Sequence, residues 1–258
     1  MAQVDHIVDG IYRISTPPSL EGAPITFNQF LIDDEAPVLV HTGNYEEYEG
    51  IHKAISEVLD PATLAYVVLL HFEGDECGGM DRFMAEAKNA QLVGSDMSAV
   101  LNLTHFGVDY VDRVKGVRDG DVIDTGRHDL KFIETPHVHH WDSMMVFEES
   151  TKSLFPSDLY IQTGDQPAVV NEDLTAEMLG FYREIGIFAH EDPVRRTIDR
   201  LERLEPEWVH AMHGGTLTGE IMPRFTKALR EEPFAFQGKS LGRPIPEMGA
   251  EEPATVDA

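Results

Sequence analysis

Three residues able to bind a metal ion, His71, Glu73 and Asp75, stand at alternate positions directly after the apolar run of residues 64–70. Such a run reads as a buried strand, and a strand sends every second side chain to one side, so the three would converge at its tip. More imidazoles and carboxylates lie downstream at loop-like positions. They are the segment His137-Val138-His139-His140-Trp141-Asp142-Ser143-Met144, Asp158 after Ser153-Leu154-Phe155, and His213 before Gly214-Gly215. Donors delivered by several strand ends are what a borderline-to-hard metal ion, or a pair of them, requires. The competing explanation is chance, since the chain has 12 histidines. His6, His41, His52, His105, His128, His190 and His210 have no comparable setting and read as structural or solvated.

The elements that must position these donors begin with strands at residues 6–15, 25–32 and 36–41, the last two joined by a turn at Asp33-Asp34-Glu35. A helix with Ile51, Ile55 and Leu59 on one face follows, and Pro61 ends it before the strand leading to His71. Gly78-Gly79 loosens the chain after the donors. A helix through Phe83 and Ala87 and a short strand at residues 90–94 come next. Residues 122–135 and 143–155 supply a second series of strands. Helices return at residues 174–187 and 192–204, the second capped by Asp192 with Pro193 in its first turn, and a last one runs from residue 219 to 230. Two strand series with helices interspersed and appended predict an α+β fold, an αββα four-layer sandwich with ligands at the sheet ends. The expected domain is residues 1–237, and the Pro-, Gly- and Glu-rich residues 238–258 are expected to be a flexible acidic tail.

Composition narrows the partners. With 46 Asp and Glu against 20 Lys and Arg, the formal charge of −26 disfavours nucleic acid and anionic membranes, and suggests a salt-rich cytoplasm that screens it. The start of the chain lacks a secretory signal and no apolar stretch approaches a bilayer span, so the expected location is the cytoplasm. The single cysteine, Cys77, excludes an intramolecular disulfide and any Cys-rich cage, and reads as a small buried packing residue.

His71-Phe72-Glu73-Gly74-Asp75-Glu76 resembles the H-x-E-x-D-H motif of the metallo-β-lactamase superfamily in its flavodiiron branch and that branch's flavodoxin-free, oxygen-binding relatives. The segment His139-His140-Trp141-Asp142-Ser143-Met144 is similar to that branch's H-W-P-D-S-M motif. An ungapped match makes His139 the ligand, and a one-residue deletion would select His140. The resemblance covers roughly residues 5–235 and implies a metallo-β-lactamase-like four-layer fold with two iron ions, zinc or manganese being the alternatives. It assigns the first metal to His71, Glu73 and His139, with Asp158 shared, and the second to Asp75, Asp158, His213 and Glu76. Glu76 stands where the family carries a histidine, so it is either a second-metal ligand or a surface carboxylate. His140 and Trp141 are the candidate catalytic residues, placed to orient a ligand or pass a proton.

Glu73 replaces an imidazole used by the superfamily's hydrolases, and its harder, anionic oxygen suits iron better than a zinc Lewis acid. The leading expectation is therefore a diiron protein that binds or reduces dioxygen or nitric oxide. No flavodoxin-like region follows the last helix, so no flavin is expected in this chain and electrons would come from a separate donor. The resemblance also implies a homodimer or higher even oligomer. The alternatives are a metal-dependent hydrolase of an ester, thioester, lactone or phosphodiester, and a non-enzymatic oxygen-binding or sensor module.

Overall fold

The structure, a computed structural model, describes residues 2–18, 25–106 and 108–245. Its first sheet has seven strands in sequence order: β1 (Gln3–Val8), β2 (Ile11–Thr16), β3 (Phe27–Ile32), β4 (Val38–Val40), β5 (Tyr66–Val68), β6 (Gln91–Ser95) and β7 (Val114–Val117). β1 to β4 pair antiparallel and β4 to β7 parallel. The second sheet also has seven, built from β8 (Val122–Asp124), β9 (Asp129–Glu134), β10 (Met144–Glu148), β11 (Ser153–Phe155), β12 (Val169–Val170), β13 (Trp208–His210) and β14 (Thr216–Thr218). Its spatial order is β12-β14-β13-β11-β10-β9-β8.

Central strands such as β4, β5 and β10 read as apolar runs because both faces of the sheets are buried there, whereas the edge strands β1 and β8 are polar and partly exposed. Phe30, Val38, Val40, Val68 and Leu70 meet Phe132, Met144, Val146 and Phe155 between the two sheets. The alternating Leu31, Leu39, Val67 and Leu69 pack outward beneath α1 (Tyr48–Ile55) and, after the short α2 (Gly74–Cys77), α3 (Met80–Glu86). Ile133, Met145, Phe147 and Val209 pack outward beneath α4 (Thr175–Ile185), α5 (Glu191–Leu201) and α6 (Met222–Glu231). Helix, sheet, sheet and helix are the four layers expected.

Several local expectations change. Residues 6–15 are not one strand but part of a hairpin, turned at Asp9-Gly10, where Gly10 takes a φ of +67°. The cap of α5 is His190, whose Nδ1 accepts from the Asp192 amide at 3.2 Å, while Asp192 and Pro193 lie inside the first turn. Short helical turns between residues 96 and 113 had no counterpart in the sequence reading. Within the expected tail, Lys239–Ser240 and Arg243–Pro244 pair antiparallel, and the Gly242 amide donates to the Glu184 carbonyl of α4 at 2.8 Å. Residues 246–258 lie outside the described residues. Among the described residues no helix is long and apolar enough to cross a membrane.

Candidate metal centre

The donors gather at one end of the sandwich, each in the chain that leaves a strand. His41 follows β4, His71 follows β5, His139 lies between β9 and β10, Asp158 follows β11 and His213 follows β13. Cross-sheet bonds fix these loops. The Met144 amide donates to the Leu70 carbonyl at 2.8 Å, and Asn28 Nδ2 donates to the carbonyls of Ala211 and Gly214 at 2.8 and 2.7 Å.

Two donor sets meet on Asp158. In the first, Asp158 Oδ2 lies 3.0 Å from His139 Nε2 and 3.6 Å from His71 Nε2, and Glu73 Oε2 lies 3.5 and 3.8 Å from His71 Nε2 and His139 Nε2. In the second, Asp158 Oδ1 lies 3.3 Å from His213 Nε2, which is 3.8 Å from Glu76 Oε1. One carboxylate thus presents a different oxygen to each set. The second ring nitrogens are fixed from behind. His213 Nδ1 bonds the Thr26 carbonyl at 2.9 Å and His71 Nδ1 bonds Ser157 Oγ at 2.9 Å, so both Nε2 atoms face the centre.

The donor chemistry fits metal ions. His71 Nε2, Asp158 Oδ1 and both Glu76 oxygens are buried without a hydrogen-bond partner, a costly state unless something else binds them. Electrostatics point the same way. Burial alone would raise the Asp158 carboxyl, but the facing His213 and His71 imidazoles outweigh it and hold it well below the usual carboxylate range. Burial works against the His213 imidazolium, yet Asp158 carries it up to about 9. Glu76, buried and facing Asp158, Asp75 and Glu73, is pushed well above the carboxylate range. The clustered carboxylates call for positive charge between them, which metal cations would supply.

The residues singled out from sequence fall in three groups. His71, Glu73, His139, Asp158, Glu76 and His213 are brought together. Asp75 is not in either set; it lies within Coulombic reach of His213, and burial raises its carboxyl. The reason is local: β5 ends at Val68, Glu73 is the extended cap of α2, and Asp75 and Glu76 lie on the helix, so the alternation of a strand does not extend to them. The turn of the helix buries Glu76, which is therefore not a surface carboxylate. Of the two adjacent imidazoles, His139 faces the centre, whereas His140 Nδ1 pairs with Asp142, itself bonded to Asn102 Nδ2 at 3.0 Å. Trp141 lies tilted against the His140 ring, 5.4 Å between centroids, and is 36% exposed. Cys77 is buried, its thiol donating to the His71 carbonyl at 3.3 Å and pushed well up by burial.

Sequence reading missed His41. Fully buried, it reaches Glu76 Oε2 with Nδ1 at 3.3 Å and packs edge-on against the His71 ring. The signal was available, because Val38-Leu39-Val40 is an apolar run ending in a histidine, as residues 64–70 are.

Two facing mixed sheets under outer helices, with imidazoles and carboxylates at one sheet end, define a metallo-β-lactamase-like fold. The chain belongs to the family described as ODP family beta lactamase, which matches residues 25–214, and carries the metallo-β-lactamase diiron domain of flavodiiron proteins. It is 26% identical over 201 residues to the flavo-diiron protein FprA2 of Clostridium acetobutylicum, covering 76% of this chain and 50% of that one. It is 28% identical over 170 residues to the rubredoxin-oxygen oxidoreductase of Megalodesulfovibrio gigas, covering 62% of this chain and 42% of that one. The chain therefore spans half or less of the length of these relatives. The crystal structure of the flavodiiron protein from Giardia intestinalis superposes with a TM-score of 0.78 at 20% identity, over 89% of this chain and 58% of that one.

Proposed function

We propose that this chain is a non-haem diiron protein that binds and reduces a small oxidant, dioxygen or nitric oxide, with electrons from a separate donor. The observation that carries this reading is Asp158, whose two oxygens face two donor sets, one of them containing Glu73 in place of a third imidazole. His71, Glu73, His139 and Asp158 would hold the first iron, and Glu76, Asp158 and His213, with Asp75 nearby, the second. When bound, the pair supplies redox electrons and open positions for a diatomic molecule. The carboxylate-rich donor set favours a hard ion that changes oxidation state over a zinc Lewis acid. Relatives named as rubredoxin-oxygen oxidoreductase and nitric oxide reductase support the same choice of oxidants.

The protein's own part is positioning. Thr26 and Ser157 fix two imidazoles from behind, and His140, oriented by Asp142, stands beside the centre with its ring 5.9 Å from that of His71. This supports a role for His140 in which it would hold or pass a proton beside a bound oxidant. A homodimer or higher even oligomer belongs to the same proposal, and light scattering across a salt series tests it, since the acidic surface opposes association at low salt. The main test is spectroscopic. Reduced, iron-loaded protein should change its absorbance on exposure to dioxygen or nitric oxide, and zinc-loaded protein should not. Efficient cleavage of an ester or phosphodiester panel by the zinc form, with an iron form indifferent to both gases, would overturn the reading in favour of a hydrolase.

A further inference from the structure

His41 has no part in either donor set that contains Asp158, yet it is built into the centre with care. It holds a φ of +59°, a left-handed conformation rare for a residue with a Cβ and often stored at functional sites. Its Nε2 accepts from the Leu70 amide at 3.4 Å, which leaves Nδ1 to carry the proton. That Nδ1 lies 3.3 Å from Glu76 Oε2, close but not aligned as a hydrogen bond in the metal-free geometry, and both atoms are buried without any hydrogen-bond partner, so each is free to pair with the other when Glu76 turns to a cation. His71 Nδ1 is 3.2 Å from the same oxygen but is already bonded to Ser157. The other oxygen, Oε1, faces His213.

The backbone, and not a chance rotamer, sets this contact. The Thr42 amide and hydroxyl both donate to the Glu76 carbonyl, at 2.7 and 3.0 Å, and the Gly79 amide donates to the Gly43 carbonyl at 3.1 Å. Gly78 and Gly79 are needed for the approach. A Cβ would stand 2.3 Å from the Tyr45 amide nitrogen at Gly78 and 2.6 Å from the Thr42 carbonyl at Gly79, so these glycines serve close packing, contrary to the loosening expected from sequence. His41 shares a donor set with His71 and Glu76 but with neither Asp158 nor His213, which puts it behind Glu76.

We propose that His41 is the positioning residue of the second metal site. Its Nδ1–H restrains Glu76 Oε2, so that Oε1 is presented, with Asp158 and His213, to a divalent cation. The proposal rests on the dinuclear reading above. It makes the imidazole an outer partner of a carboxylate ligand, the reverse of the usual carboxylate behind a ligating histidine.

Anaerobic titration of the full metal-free chain with cobalt(II), read by visible absorbance and by metal retained after gel filtration, tests it. The wild type should bind in two steps. His41→Leu should weaken the second step roughly 10- to 100-fold, the usual effect of losing an outer-shell partner, and leave the first unchanged. His41→Asn, which keeps an amide N–H near the Nδ1 position, should recover most of the loss. In a Glu76→Ala background, where only the first ion is expected to be held, His41→Leu should leave the binding of that ion unchanged. An unchanged second step, equal weakening of both steps, or a further loss in the Glu76→Ala background would each overturn the proposal, the last by making His41 a direct ligand. A wild type that binds fewer than two ions would overturn the dinuclear reading itself.

Discussion

Buried polar side chains collect at both ends of the same strands. Before β4 and β9 lie Asp34 and His128, and Glu148 ends β10; after β4 and β9 lie His41 and His139. At the first end, Asp34 accepts from the amides of Glu35, Arg127 and His128 at 2.8, 2.8 and 3.0 Å and from Thr125 Oγ1 at 2.8 Å. Glu148 accepts from the Ser150 and Thr151 amides at 2.7 and 2.9 Å and meets His128 Nδ1 at 3.2 Å. At the other end, His41 Nδ1, His71 Nε2, Asp158 Oδ1 and both Glu76 oxygens have no such bond. A network whose carboxylates are satisfied ties loops together. A network left open holds something the chain does not supply.

The contrast is sharpest under substitution. Asp158→Ala should abolish retention of both metals, because its two oxygens serve both sets, whereas Glu76→Ala should keep one; elemental analysis after gel filtration decides, and equal retention of two ions in both variants would break the scheme. The next effect belongs to the closed end. Asp34→Ala takes the acceptor from three amides, while the Thr125 hydroxyl keeps the His128 carbonyl, and should cost about 3 kcal/mol of stability. Its urea midpoint should fall while its metal content stays at the wild-type value. A loss of metal in that variant would show that the two ends are not separable.

How much of this could be read from the chain depends on the range of the interactions. The layers were legible because residues such as Phe30-Leu31-Ile32 bury alternately in two cores, and that requires nothing but unbroken apolar runs. His71, Glu73, Asp158 and His213 were legible because they come just after apolar runs as polar exceptions, whereas His139 was set apart from His137 and His140 only by the resemblance to the family motif. Asp75 was placed on a strand because the apolar run was extended past Val68, where helix α2 begins a few residues on. His41 also ends an apolar run, but no second donor stands near it in sequence, and its partner Glu76 is reached only through a contact between distant segments that depends on two glycines and a parallel pairing of β4 with β5. The closed network at Asp34 was seen only as a turn, since apart from the adjacent Glu35 amide its donors Thr125, Arg127 and His128 come from more than 90 residues away.

Acid should separate the two ends by a smaller margin. The Asp34 and Glu148 carboxyls are held at about 2, Asp34 against its burial by amide and hydroxyl donors and Glu148 against its own by His128, Ser150 and Thr151. Their unfolded values are near 4, so the folded state binds fewer protons between those limits. Their contribution is complete above about pH 4 and is lost as the pH falls toward 2. Metal-free wild type should therefore lose urea resistance across that window, and Asp34→Asn should lose less over the same range because one of the two carboxyls is already gone. Parallel curves would show that the network carries no such linkage.

The smallest effect on stability is expected at the open end. Burial and the facing carboxylates push the Glu76 carboxyl well above its ordinary range, which favours its neutral form in the metal-free protein. Glu76→Gln then exchanges one neutral side chain for another of the same shape, and no aligned hydrogen bond is broken. The urea midpoint of the metal-free variant should lie within roughly 0.5 kcal/mol of the wild type, as for substitutions that disturb no packing or bonding. Its second metal should nevertheless bind far more weakly, because a neutral amide oxygen is a poorer ligand for a divalent cation than a carboxylate. A large loss of stability with unchanged metal binding would reverse the assignment, making Glu76 a structural group like Asp34 and leaving His213 and Asp158 without a third partner.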